Sequence, residues 1–232
     1  MSRERVQRFL ARAGVSSRRK AEALISAGRV TVNGQVVQLG STVVPGDEVR
    51  VSGRRVEARI EHVSFLLNKP AGVLCSVGDD RGRSTVMDLV PEVAGLHPVG
   101  RLDADSEGLL LLTTDGDLTF QLTHPSHGHP KTYHVWCAEG TVAWRTRIRL
   151  VEGVLIGDGF AVADAVAPLP GGCILTIHDG RNRQVRRMLA ATGYTVVRLV
   201  RTQIGQLDLA DLPIGRYRTL DGKDLEALGY TP

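Results

Sequence analysis

Aromatic residues are scarce in this chain: Phe, Trp and Tyr make up 4% of its 232 positions. Each exposed Tyr therefore has to be weighed on its own. The hydrophobic share is still 42%, enough to bury a sizeable core in one large domain or two smaller ones. Cysteine is also sparse. Cys75, Cys137 and Cys173 are odd in number and far apart, which excludes a disulfide framework and a Cys-x-x-Cys zinc site. They are expected to be reduced thiols of a cytoplasmic protein. No apolar core follows Met1-Ser2-Arg3-Glu4-Arg5, so no secretory leader is expected. The longest apolar run falls far short of a membrane span. Gly-x-Gly-x-x-Gly, Walker and Gly-x-Ser-x-Gly patterns are missing too, and with them any call for a nucleotide cofactor or a serine nucleophile.

What is present is unevenly spread. Residues 1–60 carry 12 Lys and Arg against 5 Asp and Glu, a net +7. Residues 61–232 carry 17 against 20, a net −3. Such a split points to a polyanion on the front part. There, Val6, Phe9, Leu10 and Ala13 fall on one stripe of a short helix that Gly14 stops. Ser16 or Ser17 can cap a second helix, which buries Ala21, Leu24 and Ile25, carries Arg18, Arg19 and Lys20 outside, and ends at Gly28. Asn33-Gly34 between apolar strands signals a hairpin, because both turn positions need positive φ. Val49-Arg50-Val51 reads as a last strand and the polar stretch 52–59 as a linker. Two basic helices before a small curled sheet resemble the S4-like RNA-binding domain, and the resemblance implies that Arg18, Arg19 and Lys20 meet RNA phosphates.

Behind the linker, strands are expected at Val63–Leu67, Leu109–Thr113, Tyr133–Cys137 and Cys173–Ile177. Asn182 can cap a helix whose inner face is Val185, Met188, Leu189 and Thr192 and which Gly193 stops. No strict βαβ rhythm appears, so the fold class is α+β with a largely antiparallel sheet. The expected domains are 1–60 and 61–232.

The most unusual stretch is Gly100-Arg101-Leu102-Asp103-Ala104-Asp105-Ser106-Glu107-Gly108, three carboxylates set before the apolar run Leu109–Leu112. Carboxylates seldom adjoin buried strands unless they are paired or working. A calcium loop starting at Asp103 needs a bidentate Glu at its twelfth position, which here is Thr114. A glycosidase pair needs carboxylates roughly 5–9 Å apart; Asp103 and Asp105 on a strand come near that spacing, but neither has an apolar pocket to keep it protonated. A single carboxylate nucleophile needs a cation from elsewhere. Turn residues without chemistry are the remaining alternative. His124, His127 and His129 have near-metal spacing, yet Pro125, Gly128 and Pro130 interrupt them and no acid or Cys supports them. In Gly180-Arg181-Asn182-Arg183-Gln184-Val185-Arg186-Arg187-Met188, burial of Val185 and Met188 leaves Arg183, Arg186 and Arg187 on the other flanks.

Taken together, Lys69-Pro70-x-Gly72, Gly100-Arg101-Leu102-Asp103, Gly108 through Thr113, Lys131-x-Tyr133, Gly180 through Met188 and Leu199-x-Arg201-x-x-Ile204-Gly205 resemble the bacterial ribosomal-RNA pseudouridine synthases that carry an S4-like front domain. Ser106 stands where that family more often has Thr. The resemblance implies a synthase domain with a mainly antiparallel mixed sheet around a central catalytic cleft. It implies Asp103 as the catalytic aspartate, Tyr133 stacked on the target base, and Arg186 as the cation paired with Asp103. It places Lys69, Arg101, Lys131, Arg183 and Arg187 against RNA, with Arg101 as a wedge or phosphate contact. No cofactor and no metal are implied, and the enzyme is expected to act as a monomer. The Asn-Arg-Gln-Val-Arg-Arg form of the helix motif looks more like the large-subunit enzymes, so the expected partner is large-subunit ribosomal RNA or its assembly intermediate. Whether the carboxylate attacks base or sugar is open. Two rivals remain: a non-catalytic RNA-binding protein on the same scaffold, and a nucleoside or glycoside hydrolase releasing free base.

Overall fold

In the computed structural model, which describes residues 3–57 and 62–230, the first apolar stripe folds into helix α1 (Val6–Arg12), with Val6 and Leu10 buried. Gly14 follows it at φ +75°. Helix α2 (Arg18–Ser26) starts where Ser17 Oγ accepts the Lys20 N–H at 3.3 Å, and it buries Ala21 and Ile25. Asn33 and Gly34, at φ +51° and +82°, turn the chain between Val30–Val32 and Gln35–Val36. Val49–Val51 pairs antiparallel with Val30–Val32 on the other side. The expected linker is shorter than its polarity suggested. Ser52 and Gly53 make a turn, and Arg54–Val56 adds a fourth antiparallel strand. Ala58 and Arg59 of that linker, and the domain boundary at 60, lie outside the described residues. Arg-Arg-Val carries one apolar side chain, too few for a strand to show in hydrophobic periodicity.

The chain divides into two compact units. The first holds the described residues up to Ser64 together with Glu92–His97 and Thr113–Gly116. Its core packs Val6, Leu10, Ala21, Ile25, Val30, Val43 and Val49. The second holds the remainder and is built on the large sheet. The strand order runs Ala165–Leu169, Gly172–Ile177, Lys131–Cys137, Val196–Ile204, Glu107–Thr113, Ser64–Lys69, Tyr217–Thr219. Val196–Ile204 runs parallel to Glu107–Thr113 and antiparallel to Lys131–Cys137. Helices α3 (Gly116–Thr123), α4 (Trp144–Glu152), α5 (Gln184–Ala190) and α6 (Gly222–Ala227) accompany the sheet. Among the described residues no helix is long and apolar enough to cross a membrane.

Leu109, Leu110, Leu111 and Leu112 are all fully buried, as a strand covered on both faces requires. Burying each is worth about 1.5–3 kcal/mol. Leu109 and Leu111 pack with Leu66, Leu118, Leu122 and Ile204 in one cluster. Gly108 is what lets this strand begin. It sits at φ +101° opposite Arg201, and a Cβ there would fall 2.2 Å from the Arg201 carbonyl oxygen. The cysteines are free thiols; Cys137 and Cys173 are buried, and burial pushes the Cys173 thiol up to about 12.

Candidate active site

The segment between Gly100 and Glu107 crosses from one strand to the next as a tight loop, and its backbone is anchored at several points. Ser106 N–H donates to the Asp103 carbonyl at 3.0 Å, Gly72 N–H to the Ala104 carbonyl at 2.7 Å, and Leu102 N–H to Cys75 Sγ at 3.3 Å. Lys69 adds the rest. Its side chain is 0% exposed, and its ammonium donates to the carbonyls of Pro70 (2.9 Å), Ala104 (3.3 Å) and Ser106 (2.8 Å). Burial pushes this ammonium below the usual lysine range, while Cys75, Asp105 and Asp103 pull the other way. The expected Lys69–RNA contact is thereby corrected: the side chain is sealed beneath the loop and holds it from inside.

The loop forms one wall of a cleft of about 270 Å³, lined by Arg101, Asp103, Ser106, Tyr133, Asn182 and Arg183 among others. Drug-sized ligand pockets run about 300–1,000 Å³, so the opening suits a single base better than a folded segment. Tyr133 comes from the middle of the sheet, in register with Leu175 and Arg201, and is 8% exposed. Ile177 and Leu199 flank the cleft on neighbouring strands. Ser106 Oγ is buried in the wall with no hydrogen-bond partner among the described residues.

The arginines divide the acids differently from the expected pairing. Arg186 does not pair with Asp103. Its guanidinium donates to the backbone carbonyls of Asp105 (2.9 Å) and Val196 (3.1 Å) and lies 3.4 Å from the Asp105 carboxylate. Arg183 is the cation that faces Asp103, with Nη1 3.8 Å from Oδ2. The same guanidinium grips Asp105 through two hydrogen bonds of 3.1 and 2.9 Å. The physical reason is local backbone. Arg183 stands at the N-cap of α5 with φ +50°, which turns its side chain out of the helical spiral. Asn182, the expected cap, makes no cap; it lines the cleft. The Arg183 hydrogen bond, helped by the charge of Arg186, holds the Asp105 carboxyl below the usual range, and Asp105 in turn raises Arg183.

Glu107 meets Arg198 at 3.0 and 2.9 Å, and Arg198 lies over the Trp136 ring at 5.0 Å. Asp105 and Glu107 are thus both held in ion pairs, while Asp103 touches its cation only at long range. Gln184, which sequence reasoning passed over, is 3% exposed. Its side chain accepts the Arg181 N–H at 2.9 Å and donates to Asp179 at 2.5 Å, closing the turn that presents Asn182 and Arg183. A buried Gln among four arginines was the available signal.

The other expected contacts differ in their surroundings. Arg101 is exposed and lines the cleft. Lys131 is half-buried, with its ammonium on the carbonyls of His129 (2.7 Å) and His178 (3.4 Å); burial and the nearby Arg201 lower its pKa. Arg187 is tied to Asp158 at 3.1 and 2.6 Å. Arg18, Arg19 and Lys20 are exposed on the first turn of α2. His124 and His127 pack against Phe120, tilted at 4.8 Å and edge-on at 5.6 Å between ring centroids.

A front unit of basic helices on a curled sheet, and a mixed sheet whose cleft gathers an Asp, a Tyr and an Arg-rich turn, define an RNA-modifying enzyme of the pseudouridine synthase class. The family model described as RNA pseudouridylate synthase matches residues 62–158, and the S4 domain model matches residues 4–49. An uncharacterized RNA pseudouridine synthase of Mycobacterium tuberculosis is 45% identical over 238 residues, covering 97% of this chain and 92% of that protein. The ribosomal large subunit pseudouridine synthase B of Bacillus subtilis is 43% identical over 235 residues, covering 97% and 95%. A crystal structure of a pseudouridylate synthase superposes with a TM-score of 0.69 at 33% identity, covering 97% of this chain and 99% of that one. The chain belongs to the RNA pseudouridine synthase family, in the branch that carries an N-terminal S4 domain.

Proposed function

We propose that the protein converts a uridine of large-subunit ribosomal RNA to pseudouridine, with Asp103 as the nucleophile acting on a base flipped into the cleft. The observation that carries this reading is the isolation of Asp103. Among the described residues, it alone of the three carboxylates on the loop is free of a close ion pair, and it opens into the cleft beside Tyr133. The ribosomal target is supported by the Bacillus subtilis relative, whose name assigns it to the large ribosomal subunit.

The chemistry balances within one nucleotide. The bond from N1 of uracil to C1′ of the ribose breaks, the base turns, and C5 bonds to C1′. The proton on C5 leaves and N1 gains one, so no second substrate is consumed. Asp103 holds a covalent adduct through the rearrangement, on the sugar or on the base. Arg183 supplies the positive charge that faces its carboxylate. Tyr133 stacks on the flipped base, with the apolar side chains of Ile177 and Leu199 beside it. Unstacking the target costs a few kcal/mol, which anchoring by Arg18, Arg19 and Lys20 on phosphates offsets. Arg101 is the wedge or phosphate contact at the mouth.

The test is incubation of the wild-type protein and Asp103→Asn with unmodified ribosomal RNA, followed by mass-spectrometric mapping of pseudouridine. Wild type is expected to modify a defined large-subunit uridine, and the variant to bind RNA and modify none. Release of free uracil, or pseudouridine made by Asp103→Asn, contradicts the reading.

A further inference from the structure

Outside the cleft, the second unit carries an apolar surface that the synthase chemistry does not use. Helix α4 leaves Trp144 66% exposed, and Val151 on the same helix is exposed as well. Trp144, Ile148 and Val151 share one groove with Val166 of the edge strand Ala165–Leu169, and Arg147 and Glu152 line it as well. Where α4 ends, Gly153 packs against the side chains of Val162 and Phe160. Phe160 is 66% exposed and pairs across the hairpin Val154–Ala161 with Leu155, 67% exposed. Single exposed apolar residues are ordinary, but a continuous run marks an interaction surface.

This run reaches the cleft. The Phe160 carbonyl accepts a 2.7 Å hydrogen bond from Arg181, and Arg181 lines the cleft. Arg187 ties Asp158, at the hairpin turn, to α5. The surface therefore starts at the cleft wall and leads outward over Phe160 to Trp144.

Charge identifies the occupant. Arg145, Arg147 and Arg149 alternate along α4, and among the described residues none of them forms an ion pair with a carboxylate. Arg145 sits in the first turn, at the positive end of the helix dipole, where a cation is unfavourable. Arg145 and Arg149 are like charges at i and i+4, which weaken a helix. Arg149, in the last turn, is favoured by the dipole there, so the cost falls on Arg145 and on the repulsion between the two, and a polyanion would relieve both. A protein partner would match the apolar run but leave the arginines unexplained. Aromatic side chains interleaved with unpaired arginines are what single-stranded RNA needs: base faces to stack and phosphates to neutralise.

We propose that α4 and the adjoining hairpin form a second RNA-contact surface, taking a single-stranded segment of the substrate that leaves the cleft, with Trp144 and Phe160 stacking on bases and Arg145 and Arg149 meeting phosphates. The inference rests on the reading that the Asp103 cleft holds the target uridine.

The test uses the full chain carrying Asp103→Asn, so that RNA binds without turnover, and a labelled oligouridine long enough to extend beyond the cleft. Adding Arg145→Ala and Arg149→Ala together should weaken binding about tenfold. It should also reduce the slope of log affinity against log salt by about 1.4, the value for two phosphate contacts on a single strand. Trp144→Ala should weaken binding about tenfold through one lost stacking contact, whereas Trp144→Phe and the double Arg→Lys variant should keep most of the affinity. Thermal melts establish that each variant is folded. Unchanged affinity and salt slope overturn the proposal. So does normal oligouridine binding combined with lost binding to purified ribosomal particles, which would assign the surface to a protein. If the chain without Asp103→Asn makes no pseudouridine in any RNA, the cleft reading fails while the binding comparison still stands or falls by itself.

Discussion

Arg183 and Arg186 are three residues apart and have different partners. Arg183 faces Asp103 from an exposed, left-handed position, whereas Arg186 is spent on two backbone carbonyls that tie α5 to the Asp105 loop and to Val196. Arg183→Ala should therefore cut the single-turnover rate by about 100-fold, since small misplacements near the reacting atoms cost that much, and it should lose the part-exposed ion pair with Asp105, about 0–1 kcal/mol of stability. Arg186→Ala should cost about 1–3 kcal/mol in urea unfolding by leaving those carbonyls unsatisfied. Lys69→Met tests the loop from below. It frees three carbonyls around Asp103, so kcat should fall at least tenfold while the protein still binds RNA. Asp105 carries a pH signature. Its carboxyl is held below its ordinary 3.8 by Arg183, so its contribution is present above that pH and lost as pH falls through the folded value. Asp105→Asn should be less stable than wild type at neutral pH, and the gap should close in acid unfolding below about pH 3.8. That Asp103 and Tyr133 would come together was legible in the sequence because each sits in a continuous motif, and both line the cleft. The partner of Asp103 was not, because a single positive φ at Arg183 decides which arginine points at it. Lys69 misled for a related reason: nothing in a Lys-Pro dipeptide shows that a loop 35 residues away closes over it.

At the scale of elements, strands with strong apolar content were legible and polar ones were not. Leu109–Leu112 and the Tyr133 strand stood out, whereas Arg54–Val56 looked like linker and α4 escaped notice because its exposed side mixes Trp144 and Val151 with Arg145 and Arg149, which blurs the apolar stripe. The parallel pairing of Glu107–Thr113 with Val196–Ile204 joins segments about 90 residues apart, and no local pattern encodes it. Gly108 is the residue on which that pairing depends. Gly108→Ala forces a Cβ onto the Arg201 backbone in a strained φ region. It should destabilise the protein by roughly 3–5 kcal/mol, combining strain and overpacking, as read by urea denaturation. The first turn of α2 makes the opposite case. Arg18, Arg19 and Lys20 face the positive end of their own helix, a cost of about 0.3–1 kcal/mol each at low salt. Replacing all three with Ala should hold or raise the melting temperature while RNA affinity and its salt dependence drop. An unchanged affinity would remove α2 from the RNA interface.

The whole molecule joins a basic front, +7 over its first 60 residues, to a catalytic unit of slightly acidic balance. That asymmetry was visible in composition alone, and it fits a division of labour: the front supplies sequence-independent affinity, and the cleft supplies chemistry on one base. Everything depends on Asp103 being the residue that makes and breaks the bond to the nucleotide. Forming pseudouridine releases the hydrogen on uridine C5, so tritium release from ribosomal RNA labelled at that carbon reports the reaction directly. Wild type should release tritium to a plateau of one site per RNA, and Asp103→Asn should release none while binding the same RNA with undiminished affinity. Tritium released by Asp103→Asn at the wild-type rate would show that another residue carries the chemistry.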